Sequence, residues 1–372
     1  VKQSRFRAPF FVASEKIHGR ATSAHRHVYR SGAFMRQFII STFVITALTA
    51  HADALLDTAK ASFKPLPKQY DSKDNPITPD KVALGKLLYF DTRLSKNHDV
   101  SCNSCHDLAK YGVDGQSFSS GHKKQKGGRN SPTVYNAGNH VAQFWDGRAA
   151  TLEEQAKGPV LNPVEMAHPN AGAVEKILKS IPGYPPLFAK AFPETKDAVT
   201  FDNMAKAIGA FERTLVTPGK FDKFLSGDEK ALSDAEKKGL ETFISAGCLG
   251  CHMGEGIGGG TFQKLGLVTP VPGLKDNGRF DATKKEADKF FFRVPTLRNV
   301  AKTAPYLHDG SLQTLPEVVT FMGKHQLGKE LKKDEVDSIV TFLGALTGEL
   351  PKGIEAPKAL PSGKETPKPD PT

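Results

Sequence analysis

The chain has 372 residues, of which 38% are hydrophobic and 24% charged, with 34 glycines, 25 prolines and four cysteines. That excludes a disordered or fibrous chain, leaves room for about two domains at roughly 150 residues each, and supplies too few cysteines for a disulfide-built scaffold. A formal net charge of +11 would favour nucleic acid or another acidic partner, but eight basic residues against one acid put +7 in residues 1–52 and only +4 in residues 53–372.

Met35-Arg36, an apolar run from Phe38 to Leu48 and the ending Ala50-His51-Ala52 follow the order of a secretory signal peptide. The run is too short for a comfortable membrane span. Residues 1–34 precede this start methionine and are expected to be an upstream extension absent from the mature protein, with residues 35–52 as the signal. Thr78-Pro79 reads as a helix start, with Val82, Leu84, Leu87 and Leu88 supplying an apolar surface. Phe201, Met204, Ile208, Phe211 and Leu215 recur at three- to four-residue intervals and predict an amphipathic helix. Ser233 and Glu236 form a capping box for a helix containing Leu240, Phe243 and Ile244, and Val336, Ile339, Val340 and Leu343 mark another. No comparable set of alternating strands is present. The expected fold is therefore mainly α with long loops, and residues 351–372, with six prolines, are expected to be a disordered tail.

An internal repeat divides the ordered part. Pro132-Thr133, Asn136, Asp146-Gly147, Leu152 and Glu154 recur 163 residues later as Pro295-Thr296, Asn299, Asp309-Gly310, Leu315 and Glu317. Each copy follows a Cys-x-x-Cys-His sequence, at 26 residues from the motif histidine in the first half and 43 in the second, where the insertion includes the glycine-rich segment Gly256 to Gly260. Residues 53–217 and 218–350 are accordingly expected to form two domains.

Cys102-Asn-Ser-Cys105-His106 and Cys248-Leu-Gly-Cys251-His252 both match the attachment sequence of haem c, in which two thiols form thioethers to the vinyl groups and the adjacent imidazole reaches the iron. A redox dithiol needs no following histidine, and one zinc site built from both pairs would leave the duplicated histidines unexplained. Two covalently bound haem c groups are the reading the spacing favours. Their four propionates would roughly cancel the +4 of residues 53–372, which removes the warrant for a nucleic-acid partner.

Across residues 75–350 the sequence resembles the bacterial di-haem cytochrome c peroxidase family. The resemblance rests on both haem motifs, Phe144-Trp-Asp-Gly-Arg148, Leu161-Asn-Pro-Val-Glu-Met166, Val294-Pro-Thr-Leu-Arg-Asn299, Leu307-His-Asp-Gly310 and the surroundings of Met322. It implies two cytochrome c-like domains, each carrying one covalent haem c. The amino-terminal haem, held by Cys102, Cys105 and His106, would be peroxidatic, with His122 on its distal side at rest in a loop released when the other haem is reduced. The second haem, held by Cys248, Cys251 and His252, would accept electrons, with Met322 as its distal ligand. That methionine separates the chain from relatives that place tyrosine there and oxidise a protein tryptophan. Taken alone, His122 reads as a surface-loop histidine, Met322 as a core methionine, and Glu165 and Gln155 as ordinary solvated side chains.

The resemblance further implies catalytic roles for Glu165, moving a proton between the peroxide oxygens, and for Gln155, orienting peroxide. Trp145, the only tryptophan, would lie on the electron path between the haems, with His308 at the equivalent repeat position. A calcium ion would be held by the Asn130 side chain and the carbonyls of Arg293 and Pro295. The expected reaction is reduction of hydrogen peroxide by reduced cytochrome c or a small copper protein, in a periplasmic homodimer.

Overall fold

A computed structural model describes residues 54–370, so the expected extension and signal peptide lie outside the described residues. The protein is mainly α-helical; strand structure among the described residues is confined to one antiparallel pair, β1 (Phe262–Lys264) and β2 (Phe291–Arg293).

The helices form where local chemistry starts them. In α1 (Pro79–Phe90) Thr78 accepts from the Lys81 amide and Pro79 occupies the first turn, where its missing N–H costs nothing. Thr151 caps α2 (Leu152–Leu161) by accepting from the Glu154 amide. There follow α3 (Ala171–Ser180), α4 (Tyr184–Ala191) and α5 (Phe201–Glu212). In α5 the apolar stripe is joined in burial by Ala205, Ala207 and Ala210, because α1 and α2 both pack against it. In the second half α6 (Lys220–Leu225) precedes α7 (Asp234–Ala246), which begins with the Ser233/Glu236 capping box and ends at Gly247 in the left-handed region. Helices α8 (Leu315–Leu327) and α9 (Lys333–Ala345) complete it.

Two hydrophobic cores result. One gathers Leu84, Leu88, Tyr89, Met204, Ile208 and Phe211 with α3 and α4; the other gathers Phe63, Phe221, Leu240, Phe243, Ile339 and Phe342. Each is closed by one helix pair in near contact through a glycine. A Cβ on Gly85 of α1 would lie 1.9 Å from the Ala207 carbonyl oxygen of α5, and one on Gly239 of α7 would lie 2.2 Å from the Ser338 oxygen of α9. Fully burying each large side chain contributes about 1.5–3 kcal/mol, so both cores are substantial.

The repeat is visible in the backbone. Asn136 and Asn299 share a left-handed conformation, φ 60° and 63°, as do Phe144 and Leu307, φ 67° and 69°. The bridge Gln143 to Ala149 returns as Tyr306 to Leu312, and the Thr151 cap as Thr314. Both asparagines donate their side-chain amides to one hydroxyl, that of Thr217, at 2.9 and 2.8 Å. Residues 351–370 contain no helix or strand, yet they lie on the first core: Arg93 donates to the Pro361 carbonyl at 2.8 Å, Lys86 to that of Gly353 at 2.8 Å, and Ile354 packs against the cluster.

Candidate active site: two cavities with a shared wall

The two Cys-x-x-Cys-His motifs open into different cavities. Cys102, Cys105 and His106 line one of about 840 Å³, the size of an ordinary cofactor pocket. Cys248, Cys251 and His252 line a narrower and more apolar one of about 210 Å³. Because the pairs are in separate cavities, a single four-thiol metal site is excluded. Burial also pushes the thiols up, Cys105 and Cys248 to about 11, so all four stay protonated and unpaired.

Each motif histidine is held in one tautomer. His106 Nδ1 is 2.9 Å from the Pro132 carbonyl and His252 Nδ1 is 3.1 Å from that of Ile257. A carbonyl can only accept, so each Nδ1 carries the proton and each Nε2 keeps its lone pair. Burial lowers both imidazoles, His252 to about 4, and keeps them neutral. Two thiols and a neutral imidazole with a free Nε2, at the edge of a cavity, fit a covalently held haem in each half.

The cavities differ beyond the motifs. Gln155 from α2 and Glu165 from the following loop both line the first. Asn162 holds the Glu165 carboxyl, its Nδ2 donating at 2.9 Å, and burial raises that carboxyl despite Arg148 and Asn162 pulling the other way. His122 is buried, its Nδ1 has no hydrogen-bond partner, and its amide donates to the Glu165 carbonyl at 2.7 Å. Gly121 belongs to the cavity lining with Glu165 and Gln155, and His122 does not. In the second cavity α8 contributes several residues to the lining, among them Met322, which is half-buried.

Trp145 lines both cavities, is 8% exposed, and packs edge-on against His308 with ring centroids 6.4 Å apart. Asn130 and Arg293 also line both. The Asn130 Nδ2 donates to the Gln116 carbonyl at 2.9 Å, leaving its Oδ1 for a cation, and Pro295 lies in the second cavity's wall. Among the described residues no three His, Cys, Asp or Glu side chains converge, so a calcium ion here would rely on neutral oxygens.

Three groups in these walls escaped the sequence reading. Glu212, at the end of α5, is 4% exposed, lines the first cavity, and is pushed up to about 8 by burial, with Arg213 opposing. Its position four residues after Ile208, on the apolar stripe, was the available signal. The Arg293 side chain lies in the partition and is lowered to about 10 by burial alone. The ring of His140, also in both linings, had no signal in the sequence.

Comparisons with known proteins agree with this architecture. Residues 79–230 match the family model described as di-haem cytochrome c peroxidase. The chain is 49% identical to the cytochrome c551 peroxidase of Pseudomonas aeruginosa over 326 residues, covering 86% of this chain and 94% of that one. It is 45% identical to the cytochrome c551 peroxidase of Nitrosomonas europaea, covering 89% and 98%. Among solved structures, a MauG-like protein associated with microbial copper homeostasis superposes with a TM-score of 0.68 at 31% identity, covering 77% of this chain and 94% of that one. With two haem-type cavities and relatives this similar over nearly their whole length, the chain belongs to the bacterial di-haem cytochrome c peroxidase family.

Proposed function

We propose that the protein reduces one hydrogen peroxide to two waters, taking up two protons from solution and one electron from each of two molecules of reduced cytochrome c or a small copper protein. The observation that carries this reading is the asymmetry of the cavities: carboxyls, Glu165 among them, line the first, whereas among the described residues no carboxyl lines the second, whose wall includes Met322. Haem c bound in each cavity would supply the one-electron redox chemistry and the site at which peroxide binds.

The chain's own residues do the rest. Cys102 and Cys105, and Cys248 and Cys251, would hold the two groups, with the Nε2 atoms of His106 and His252 free to ligate them. Glu165 takes the proton from one peroxide oxygen and returns it to the other, and Gln155 orients the substrate with its amide. Met322 gives the second site a soft ligand that favours the reduced state, suiting it to receive electrons, and Trp145 lies between donor and acceptor sites. The loop of His122 closes the first site at rest and moves aside for turnover. Asn130 and the carbonyls of Arg293 and Pro295 hold a calcium ion that supports this opening. Residues 53–217 and 218–350 act as the peroxidatic and electron-accepting domains. The protein works in the periplasm as a homodimer, the first half of that reading resting on the signal pattern of residues 35–52.

Stopped-flow spectroscopy of the calcium-loaded, half-reduced holoprotein with peroxide and reduced cytochrome c tests the reading. Rapid peroxide-dependent oxidation of the donor supports it. A first site that stays closed by His122, with no turnover, would make the protein an electron carrier. Replacing His122 with Gly should lessen the need for prior reduction.

A further inference from the structure

The wall between the two cavities contains a guanidinium without a counter-charge. Four arginines are buried among the described residues, and three have a carboxylate: Arg93 with Asp91 at 2.5 Å, Arg213 with Glu153 at 2.5 Å and Arg298 with Asp222 at 2.9 Å. The fourth, Arg293, is 2% exposed and no ion pair is formed by it. Its Nη1 has no hydrogen-bond partner, and its Nε reaches only the Phe144 carbonyl, at 3.4 Å. Beside it, His140 has both ring nitrogens buried and without a hydrogen-bond partner, and the neighbouring Gln143 commits its NH2 to the Ala137 carbonyl at 3.0 Å.

A buried charge without a partner is strongly disfavoured, since desolvation is offset only by an opposite charge or several hydrogen bonds. The folded chain supplies neither to Arg293, so the partner must come from what the cavities hold. Both Arg293 and His140 are part of the lining of both cavities.

We propose that Arg293 and His140 form one anion cradle that receives a propionate carboxylate from the haem of each cavity, so that a single guanidinium couples the two redox sites. The inference rests on the di-haem reading and deepens it. A fixed positive charge in a low-dielectric wall favours the reduced form of any redox group near it, and a shared one does so for both. The role is one of positioning and tuning, separate from the proton transfer assigned to Glu165.

Spectroelectrochemical titration of the holoprotein and of Arg293→Gln and Arg293→Lys tests it, with haem content measured first. Fewer than two haems per wild-type chain would overturn the underlying reading, independently of the cradle. With two haems present, Arg293→Gln should weaken both reduction equilibria about tenfold, about 59 mV for each one-electron couple, and Arg293→Lys should restore most of that. A shift at one haem alone, at neither, or equal in the Gln and Lys variants overturns the proposal. Should Arg293→Gln fail to take up haem, resonance Raman spectra of the wild-type holoprotein decide. Propionate bending bands of both haems should shift in D2O and lose part of that shift in His140→Phe; bands insensitive to both changes overturn the cradle.

Discussion

Trp145 and His308 occupy equivalent positions in the two halves and meet in the shared wall, their rings 6.4 Å apart at 74°. The backbone around them is reciprocal as well. The Asn130 amide donates to the His308 carbonyl at 2.7 Å, and the Arg293 amide, 163 residues further on, donates to the Trp145 carbonyl at 2.8 Å. The pairing makes the junction pseudo-symmetric while its side chains differ, so each half contributes different chemistry to one wall.

The indole of Trp145 donates to the Asn130 carbonyl at 2.9 Å. Trp145→Phe keeps an aromatic ring but orphans that carbonyl, which costs about 1–3 kcal/mol. Denaturant unfolding of the holoprotein should show the loss, and photoreduction should show slower electron transfer between the sites. Unchanged transfer would remove Trp145 from the electron path.

Thr217 accepts the amides of both repeat asparagines, a use of both hydroxyl lone pairs. Thr217→Val preserves shape and removes the acceptor. It should destabilise the protein by about 1–3 kcal/mol for each orphaned amide, read as a lower Tm, with both haem spectra unaltered.

Glu165→Gln keeps the side chain's size and its contact with Asn162 but cannot carry a proton between oxygens. Peroxide turnover should fall about 10²–10⁴-fold in kcat, while the KM for the electron donor stays as it is. A variant within threefold of wild type would assign the proton transfer elsewhere.

A methyl group on Gly121 would lie 2.2 Å from the Val164 carbonyl oxygen and 2.7 Å from Glu165 Cα, so Gly121→Ala must push the two loops apart. The hydrogen bond from His122 to Glu165 then opens and the carboxyl is displaced. Misplacement on the order of 1 Å can lower turnover about 100-fold. The potential of the second haem should not change, which distinguishes a local displacement from misfolding.

Glu212 gives the pH dependence. Burial raises its carboxyl from 4.5 to about 8, so its contribution to stability is full below about pH 4.5 and is lost as pH rises through about 8. Glu212→Gln should flatten the fall in Tm across that window and leave the protein more stable than wild type at pH 8, by on the order of a few kcal/mol. Parallel Tm curves for the two proteins would show that Glu212 is not held protonated.

How much could be read beforehand follows from the range of the interactions involved. Caps at Thr78 and Ser233, the helix from Phe201 and the haem motifs depend on residues within four or five positions of one another, so spacing alone specifies them. The repeat was legible for the same reason: each half specifies its own turns, and equal sequence produced equal backbone at Asn136 and Asn299. The segment after Pro351 was read from composition as a free tail, and composition carries no information about the Arg93 donors that meet it.

The sequence by itself determined the two motifs and their spacing, the capped helix starts and the duplication. Tertiary structure decided which groups share a cavity, that Glu212 is buried, that His122 lies outside the lining of the first site, and that Arg293 stands without a carboxylate in a wall common to both. Burial and counter-charge are set by segments more than a hundred residues apart, Asn130 and Arg293 among them, and such proximity exists only once both cores have packed.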